Sequence, residues 1–461
     1  MGTKQASDSN RMYAHVIRQC LCGGVGSPPG RMHTRVIRRM RQVAHLLVVF
    51  LLTAMLALSS GCAGLDESVD DGQSLRDRLN AATRPFDGEE DTPPQAQAQP
   101  SPTVQLDIVA AGDIMLHYPN QVRYDSLGNA VFGDYFQFVT DVVSAADLAI
   151  CNIEAPFGGG EPSGYPIFNM ADEMAPAVAA AGFDVAITTN NHMLDQYAEG
   201  VLRSVRLLRE NGLLVAGSRL EASEPGYALY SIKGLRIAVV AYTYETSALG
   251  GNRAINGLPM SEELDPLINS YTSGSQDDKA EIVAQIEAAR SAGADLVISY
   301  FHNGIEYSQQ PSDEQREMAQ LVADAGADII FASHPHVLQP MELLEPTGGG
   351  TPVPVYWAMG NYISNQRLES GMDAENEQGI LANVQLSYNT NEKQVTALTM
   401  DYLPLWVDRY HNGERTVHTT IAQTDTVADN PALAASGHLE RALAAFEQIR
   451  ELLGPPLSWS R

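Results

Sequence analysis

The chain has 461 residues, 44% of them hydrophobic, and a formal charge of −27. That length holds one large domain with appendages or two domains, and the apolar fraction is enough for a globular core. The first 62 residues carry eight Lys/Arg and one acidic residue, so the remainder holds 21 basic against 55 acidic groups, a balance of −34 that excludes nucleic acid as a partner because phosphate binding needs a basic face.

Arg35, Arg38, Arg39 and Arg41 precede an apolar run at 46–58 and a small-residue stretch ending at Cys62. A basic segment, an apolar core of about a dozen residues and a small-residue cleavage region make a secretory signal. The core is too short for a comfortable transmembrane helix. Ser59, Ser60, Gly61 and Cys62 resemble a bacterial lipobox, with Leu58 one place earlier than usual. Cys62 is therefore the candidate lipidation site, and simple cleavage or an uncleaved anchor also fits. Cys20 and Cys22 fall in the leader, which leaves Cys151 as a core hydrophobe with no disulfide partner. Residues 1–62 read as leader and signal, and 63–103, acidic and then Pro/Gln/Ala-rich, as a disordered tether that cannot bury enough apolar surface to order itself. A folded domain is expected at 104–425 and a helical tail at 426–461. The expected location is extracytoplasmic and membrane-anchored.

In the folded part, five apolar runs each end on metal-type ligands. Residues 104–112 lead to Asp113, 146–152 to Glu154, and 183–188 to Asn190, Asn191 and His192. Residues 294–301 lead to His302, and 327–332 to His334 and His336. Gly182, Gly293 and Gly326 precede three of these runs and suit the left-handed position that ends a helix. Helical periodicity at 199–209 and 312–322 alternates with the runs, which predicts an α/β sheet. Segments 227–241, 381–388 and 394–402 instead alternate with a period of two and predict hairpins turning near Gly234 and Asn389. The sheets are therefore mixed, with two packed together. Residues 246–276 read as a long loop, and the helical pattern at 431–453 as a tail packed on the outside.

Ligands in open α/β sheets bind beyond the carboxyl ends of the strands. Carboxylate, imidazole and amide oxygen together suit Mn, Fe or Zn better than Ca, so one or two divalent ions are the expected cofactor. Taken singly, His302 reads as a satisfied partial-core residue and the Asn pair as a turn; their recurrence at equivalent strand ends is what makes a site. His411, His418 and His438 read as surface residues, and His117, four residues after Asp113, stays open.

The stretches Gly112 to Leu116, Asn152 to Glu154, Asn190 to His192 with Asp195, His302 to Tyr307, Ser333 to His336, and Met359 to Tyr362 follow one another as in the capsule-synthesis CapA family. These poly-γ-glutamate biosynthesis proteins belong to the calcineurin-like metallophosphoesterase superfamily, and the chain resembles them over roughly residues 105–365. The resemblance implies a four-layer αββα sandwich of two mixed sheets. It makes Asp113 the first-metal carboxylate, Glu154 the bridging ligand and Asn191 the second-metal amide, with His192 as general acid. His302 and His334 would complete the second metal and His336 the first; Asn190, Asp195, Glu306 and Asn361 would support the site or face the substrate. Two departures matter. Met115 stands where the superfamily places a metal-binding imidazole, and Asn303 where this family often has Trp. The implied function is a membrane-tethered protein of capsule or poly-γ-glutamate synthesis or export with a metal-dependent hydrolase-type site. It would act on an anionic envelope polymer or phosphoester, beside other capsule synthesis proteins. The alternatives are a non-catalytic metal-binding scaffold of that machinery and a general extracytoplasmic phosphodiesterase or nucleotidase.

Overall fold

The computed structural model describes residues 102–121, 132–247 and 253–461. Cys62, the signal segment and the tether lie outside them, apart from the tether's last two residues. The first half of the fold runs β1 (Thr103–Ile114), α1 (Thr140–Ala145), β2 (Leu148–Ile153), α2 (Met174–Ala180), β3 (Val185–Ile187), α3 (Tyr197–Glu210), β4 (Leu214–Ala216), β5 (Tyr227–Ile232) and β6 (Leu235–Tyr244). Short strands β7 (Thr246–Ser247), β8 (Arg253–Ile255), β9 (Leu258–Pro259) and β10 (Ser270–Tyr271) follow. Then come α4 (Gln276–Ser291), β11 (Leu296–His302), α5 (Asp313–Asp324), β12 (Ile329–Ser333), β13 (Leu338–Leu344), β14 (Val353–Met359) and β15 (Asn361–Ile363). The chain closes with β16 (Gln378–Asn389), β17 (Gln394–His411), β18 (Thr416–Ala422), α6 (Pro431–Ser436), α7 (Leu439–Leu453) and β19 (Leu457–Ser460).

Local chemistry accounts for the joints. Gly182, Gly293 and Gly326 have φ of 98°, 89° and 99°, a region that costs other residues strain. Ser312 caps α5 and Gln315 reaches back to the Ser312 amide, completing a capping box. Lys233 and Gly234, at φ 50° and 81°, make the tight turn between β5 and β6.

The strands form a nine-stranded and a seven-stranded mixed sheet. In the first, β1 to β4 run parallel and β16 to β18 antiparallel; in the second, β6, β11, β12 and β14 are parallel, with antiparallel β5 and β13. Alternation sends Ile108, Ile150 and Ile187 of the first sheet against Ile237, Val239, Ile298 and Phe331 of the second. The opposite face of the first sheet, with Val109, Ala149 and Cys151, packs on Val143, Met174, Val178, Val205 and Leu208 of α1 to α3. The second sheet likewise buries Ala238, Val240, Val297 and Ile330 under Ile282, Ile286, Met318 and Val322 of α4 and α5. Two sheets between two helix layers result, and strands buried on both faces read as near-continuous apolar runs, as these do.

Parallel register brings the strand ends to one pole. Asp113 pairs with Asn152 and also with Asn361, while His302 pairs with Ser333 and with Thr243. Three expectations need correction. Residues 246–276 are not a plain loop: β7, β8 and β9 make a small sheet and β10 adds to β6. The tail is not packed on the outside, because the 3–4-residue spacing of Ala442, Ala445, Phe446, Ile449 and Leu453 makes an apolar stripe on α7 that enters the core between the sheets and packs on β13 and β17. His418 is fully buried, its Nε2 3.1 Å from Asn365 Oδ1, and half-buried His438 places Nδ1 2.7 Å from buried Asp408; only His411 is exposed as expected. Among the described residues no helix is long and apolar enough to cross a membrane.

Candidate metal centre

The pole is assembled by close backbone approach and by strained turns. A Cβ on Gly112 would collide with the Gly360 carbonyl oxygen, so only glycine lets β1 lie this near β15. The Asp113 N–H then donates to the Gly360 carbonyl at 3.0 Å, which sets Asn361 beside Asp113. After β12, His334 and His336 take φ of 109° and 56° around Pro335. Non-glycine residues held there cost about 1–3 kcal/mol each and persist where the surroundings over-determine them.

Two triads of ligand atoms, each within 4.8 Å of one another, share one carboxylate: Asp113, Glu154 and His336 form the first, and Glu154, His302 and His334 the second. All five residues are buried. Asp113 Oδ2 lies 3.2 Å from His336 Nδ1 and accepts from the His334 backbone N–H at 3.4 Å. Glu154 Oε1 is 3.5 Å from His302 Nε2 and 3.6 Å from His336 Nε2, too far for hydrogen bonds. Asn191 Oδ1 stands 2.9 Å from His302 Nε2, and Asn361 Oδ1 3.2 Å from His336 Nδ1. A third triad adds Glu306 to His334 and His336, and Glu306 is exposed.

His192 sits beside this cluster with its own orienting partner. Its Nδ1 is 2.9 Å from Asp195 Oδ2, which also accepts from the Phe168 N–H at 2.7 Å. The Phe168 ring meets the imidazole edge-on, 4.6 Å between centroids. Asn190 braces the turn, donating to the Ile153 carbonyl at 2.8 Å and accepting from the His192 N–H at 3.2 Å. His117, left open by the sequence, lies at the rim: its ring meets Phe168 at 5.3 Å and its Nδ1 accepts from the Asn365 N–H. Met115 is buried in the core under α1 to α3, so it brings nothing to the cluster. Asn303 donates to the Tyr271 hydroxyl at 2.9 Å.

The electrostatics are those of a site short of positive charge. Burial, then Asp113, Glu306 and Asp195, push the Glu154 carboxyl well above its ordinary range. Burial opposes ionisation of Asp113, but the hydrogen bond and charge of His336 hold it well below the usual carboxylate range. Burial holds His302 down to about 3 and His334 well below normal, so both are neutral imidazoles, the ligand form. His336 is buried too, yet Asp113 and Glu306 raise it. Among the described residues neither Glu154 oxygen nor His334 Nδ1 has a hydrogen-bond partner, although all three atoms are buried. Buried polar atoms are normally satisfied. Clustered carboxylate and neutral imidazole donors with orphaned lone pairs fit one or two divalent ions of the Mn, Fe or Zn type.

Sequence reasoning missed Asn152, Ser333 and Tyr244. Asn152 donates to Asp113 Oδ1 at 2.8 Å and stands 3.3 Å from His302 Nδ1, while Ser333 Oγ is 3.1 Å from that same nitrogen. Both lie within one or two residues of a predicted ligand, which was the available signal. The Tyr244 hydroxyl is 3.2 Å from His334 Nε2. It had no such signal, since reading β6 as a hairpin arm hides that its end is at the pole.

Residues 107–366 match the family described as bacterial capsule synthesis protein PGA_cap. The chain is 27% identical over 270 residues to the capsule biosynthesis protein CapA of Bacillus anthracis, covering 57% of this chain and 60% of that protein. It is 26% identical over 279 residues to the PGA biosynthesis protein CapA of Bacillus subtilis, covering 57% and 65% respectively. The chain thus spans less than two thirds of the length of these relatives. Among solved structures, a phosphatase from Mycoplasma pneumoniae aligns over 72% of this chain and 99% of its own at 13% identity, with a TM-score of 0.36, an overlap too loose to bear on the site. The family match covers more than half of the chain and takes in both triads, Asn191 and His192. The chain belongs to the bacterial capsule synthesis protein PGA_cap family.

Proposed function

We propose that this protein is a membrane-tethered, extracytoplasmic, metal-dependent hydrolase of envelope-polymer metabolism, acting on phosphoester or amide bonds in capsule or poly-γ-glutamate synthesis or export. The observation that carries it is the pair of triads sharing Glu154, whose two carboxylate oxygens are buried without partners. Asp113, Glu154 and His336 would hold one ion, and Glu154, His302, His334 and Asn191 a second. Such ions supply Lewis acidity to a phosphoryl or carbonyl oxygen and to an attacking water. The protein's own part is positioning and proton transfer. Asp195 accepts at His192 Nδ1 and, with Phe168, fixes the ring. His192 Nε2 is left to exchange a proton with a leaving group. Asn152 and Ser333 hold His302 from its Nδ1 side, as outer partners of metal-ligating histidines do. An acidic domain should repel a polyglutamate chain, so bound cations would also be needed to admit that substrate. The tether is inferred from the signal-like segment ending at Cys62.

One observation favours a second reading, a metal-binding scaffold without turnover: Met115 lies in the core, which leaves the first triad with a single imidazole. Turnover of a chromogenic phosphodiester and of a γ-glutamyl polymer, measured with the Mn-loaded chain, decides between them. His192→Ala should lower turnover by about 10²–10⁴-fold with metal content unchanged. Loaded wild-type protein that cleaves neither substrate would refute the hydrolase and leave the scaffold.

A further inference from the structure

We propose that Glu306 is itself a metal ligand, a carboxylate delivered from the loop after β11 to the solvent side of the histidine pair, where it makes up for the imidazole that Met115 cannot supply. The inference rests on the metal-centre reading above and deepens it. The Glu306 carboxylate and the His334 and His336 ring nitrogens lie within 4.8 Å of one another, and these histidines belong to different triads. Two ligands on opposite sides of one ion at about 2.1 Å each are roughly 4.2 Å apart, so a small contraction brings all three onto an ion.

The loop is built to hold this position. The Asn303 N–H donates to the Ser333 carbonyl at 3.1 Å and the Tyr307 N–H to the Pro335 carbonyl at 2.7 Å, so Glu306 is carried between two ties to the histidine turn. Tyr307 takes φ of 65°, and Gly304 takes 124° where a Cβ would press on the Gln315 side chain. Gln339 donates to the Ser308 and Gln310 carbonyls, anchoring the far end. Among the described residues Glu306 forms no ion pair with Lys or Arg. Among the described residues, three carboxylates, those of Asp113, Glu154 and Glu306, thus converge on three imidazoles with no Lys or Arg in the group, and His336 alone cannot balance them, so the site suits an added cation. Glu306 would add a hard carboxylate oxygen beside His334 and His336, which favours Mn over softer-ligand metals.

The test is Mn²⁺ titration of the chelator-stripped full chain, with free Mn²⁺ read by electron paramagnetic resonance. Glu306→Gln should weaken binding of one ion at least tenfold. Glu345→Gln, which removes an equal charge from an exposed position after β13, should change it less than twofold. Thermal melts of the stripped proteins confirm that both variants fold. Wild-type affinity and stoichiometry in Glu306→Gln would overturn the inference, including the case in which only turnover falls, which would make Glu306 a substrate contact. If wild-type protein binds no divalent ion, this inference falls together with the metal centre. If the variant difference appears but no substrate is cleaved, the ligand stands and the hydrolase falls.

Discussion

Two buried polar clusters of this molecule differ in whether their charges close within the protein. Under α7, Arg367 and Glu377 are almost wholly buried. Arg367 donates to the Val407 carbonyl at 3.0 Å and pairs with Glu369 at 2.9 Å and Glu377 at 3.5 Å. Arg441 grips both Glu377 oxygens at 3.0 Å and lies over the Trp406 ring, whose Nε1–H donates to Glu377. Two guanidinium groups meet two carboxylates, and the charge closes within the protein. At the strand-end pole, carboxylates and imidazoles gather with no Lys or Arg among them, and Glu154 keeps two orphaned oxygens. A buried charge without a partner costs several kcal/mol. The first cluster is closed by its own ion pairs; the second is left open to a charge from outside.

Breaking each cluster should therefore fail in opposite ways. The largest effect is expected from Glu154→Gln, which removes the carboxylate common to both triads. Metal analysis should find both ions lost, while the melting temperature of the chelated protein holds or rises because a buried carboxyl that lacks hydrogen-bond partners has gone. A fall of several degrees in that stripped protein would mean that Glu154 is structural. Next comes Arg367→Met, which removes the buried guanidinium between Glu369 and Glu377 and leaves Glu377 to Arg441 and Trp406: breaking a buried pair costs up to about 3–5 kcal/mol, and denaturant titration should show a loss within that range with metal stoichiometry of the folded fraction preserved. Loss of metal as well would show that the clusters are coupled.

Acid should separate the two regions with smaller effects. Burial holds His302 to about 3 and His117 to about 4, below an ordinary 6.5. In the metal-stripped protein the unfolded chain takes up these protons first, so stability present above pH 6.5 is lost on acidification toward pH 4 and below, at up to about 1.4 kcal/mol per pH unit per group. His302→Asn should flatten melting temperature against pH in that window. The Glu369 carboxyl, against burial, is lowered to about 2 by its own backbone N–H, Arg441 and Arg367. Its contribution is present above 4.5 and lost as pH falls toward 2, so Glu369→Gln should matter only there, and weakly, since the side chain is half exposed. A shared acid midpoint for both variants would erase the distinction.

The residues of both triads and His192 were legible because each stands at or just beyond the end of an apolar run, and strand ends are marked by local composition; Asp195 entered only through the resemblance to the CapA family. Tyr244 was not: the alternating segment reads only to 241, whereas β6 runs on to end at Tyr244. Alternation on β5 and β6 encodes a hairpin, but nothing in it says that β6 also pairs in parallel with β11. For the same reason α7 read as an outside tail: an apolar stripe specifies that a helix is covered, not by what. His418 was misplaced because its burial comes from its neighbours across β17 and β18, not from the polar residues next to it in sequence.

By itself the sequence determined strand against helix, the joints, the ligand types and the acidity of the folded part, since these follow from side-chain period, glycine conformation and charge. Only the tertiary structure decided which strand ends share a pole, that Glu154 is common to two triads, and that Glu306 approaches two histidines of different triads. Those facts depend on register between strands distant in the chain and on a loop tied to a strained turn, and pairing of that kind is chosen by the packing of whole sheets rather than by any local pattern.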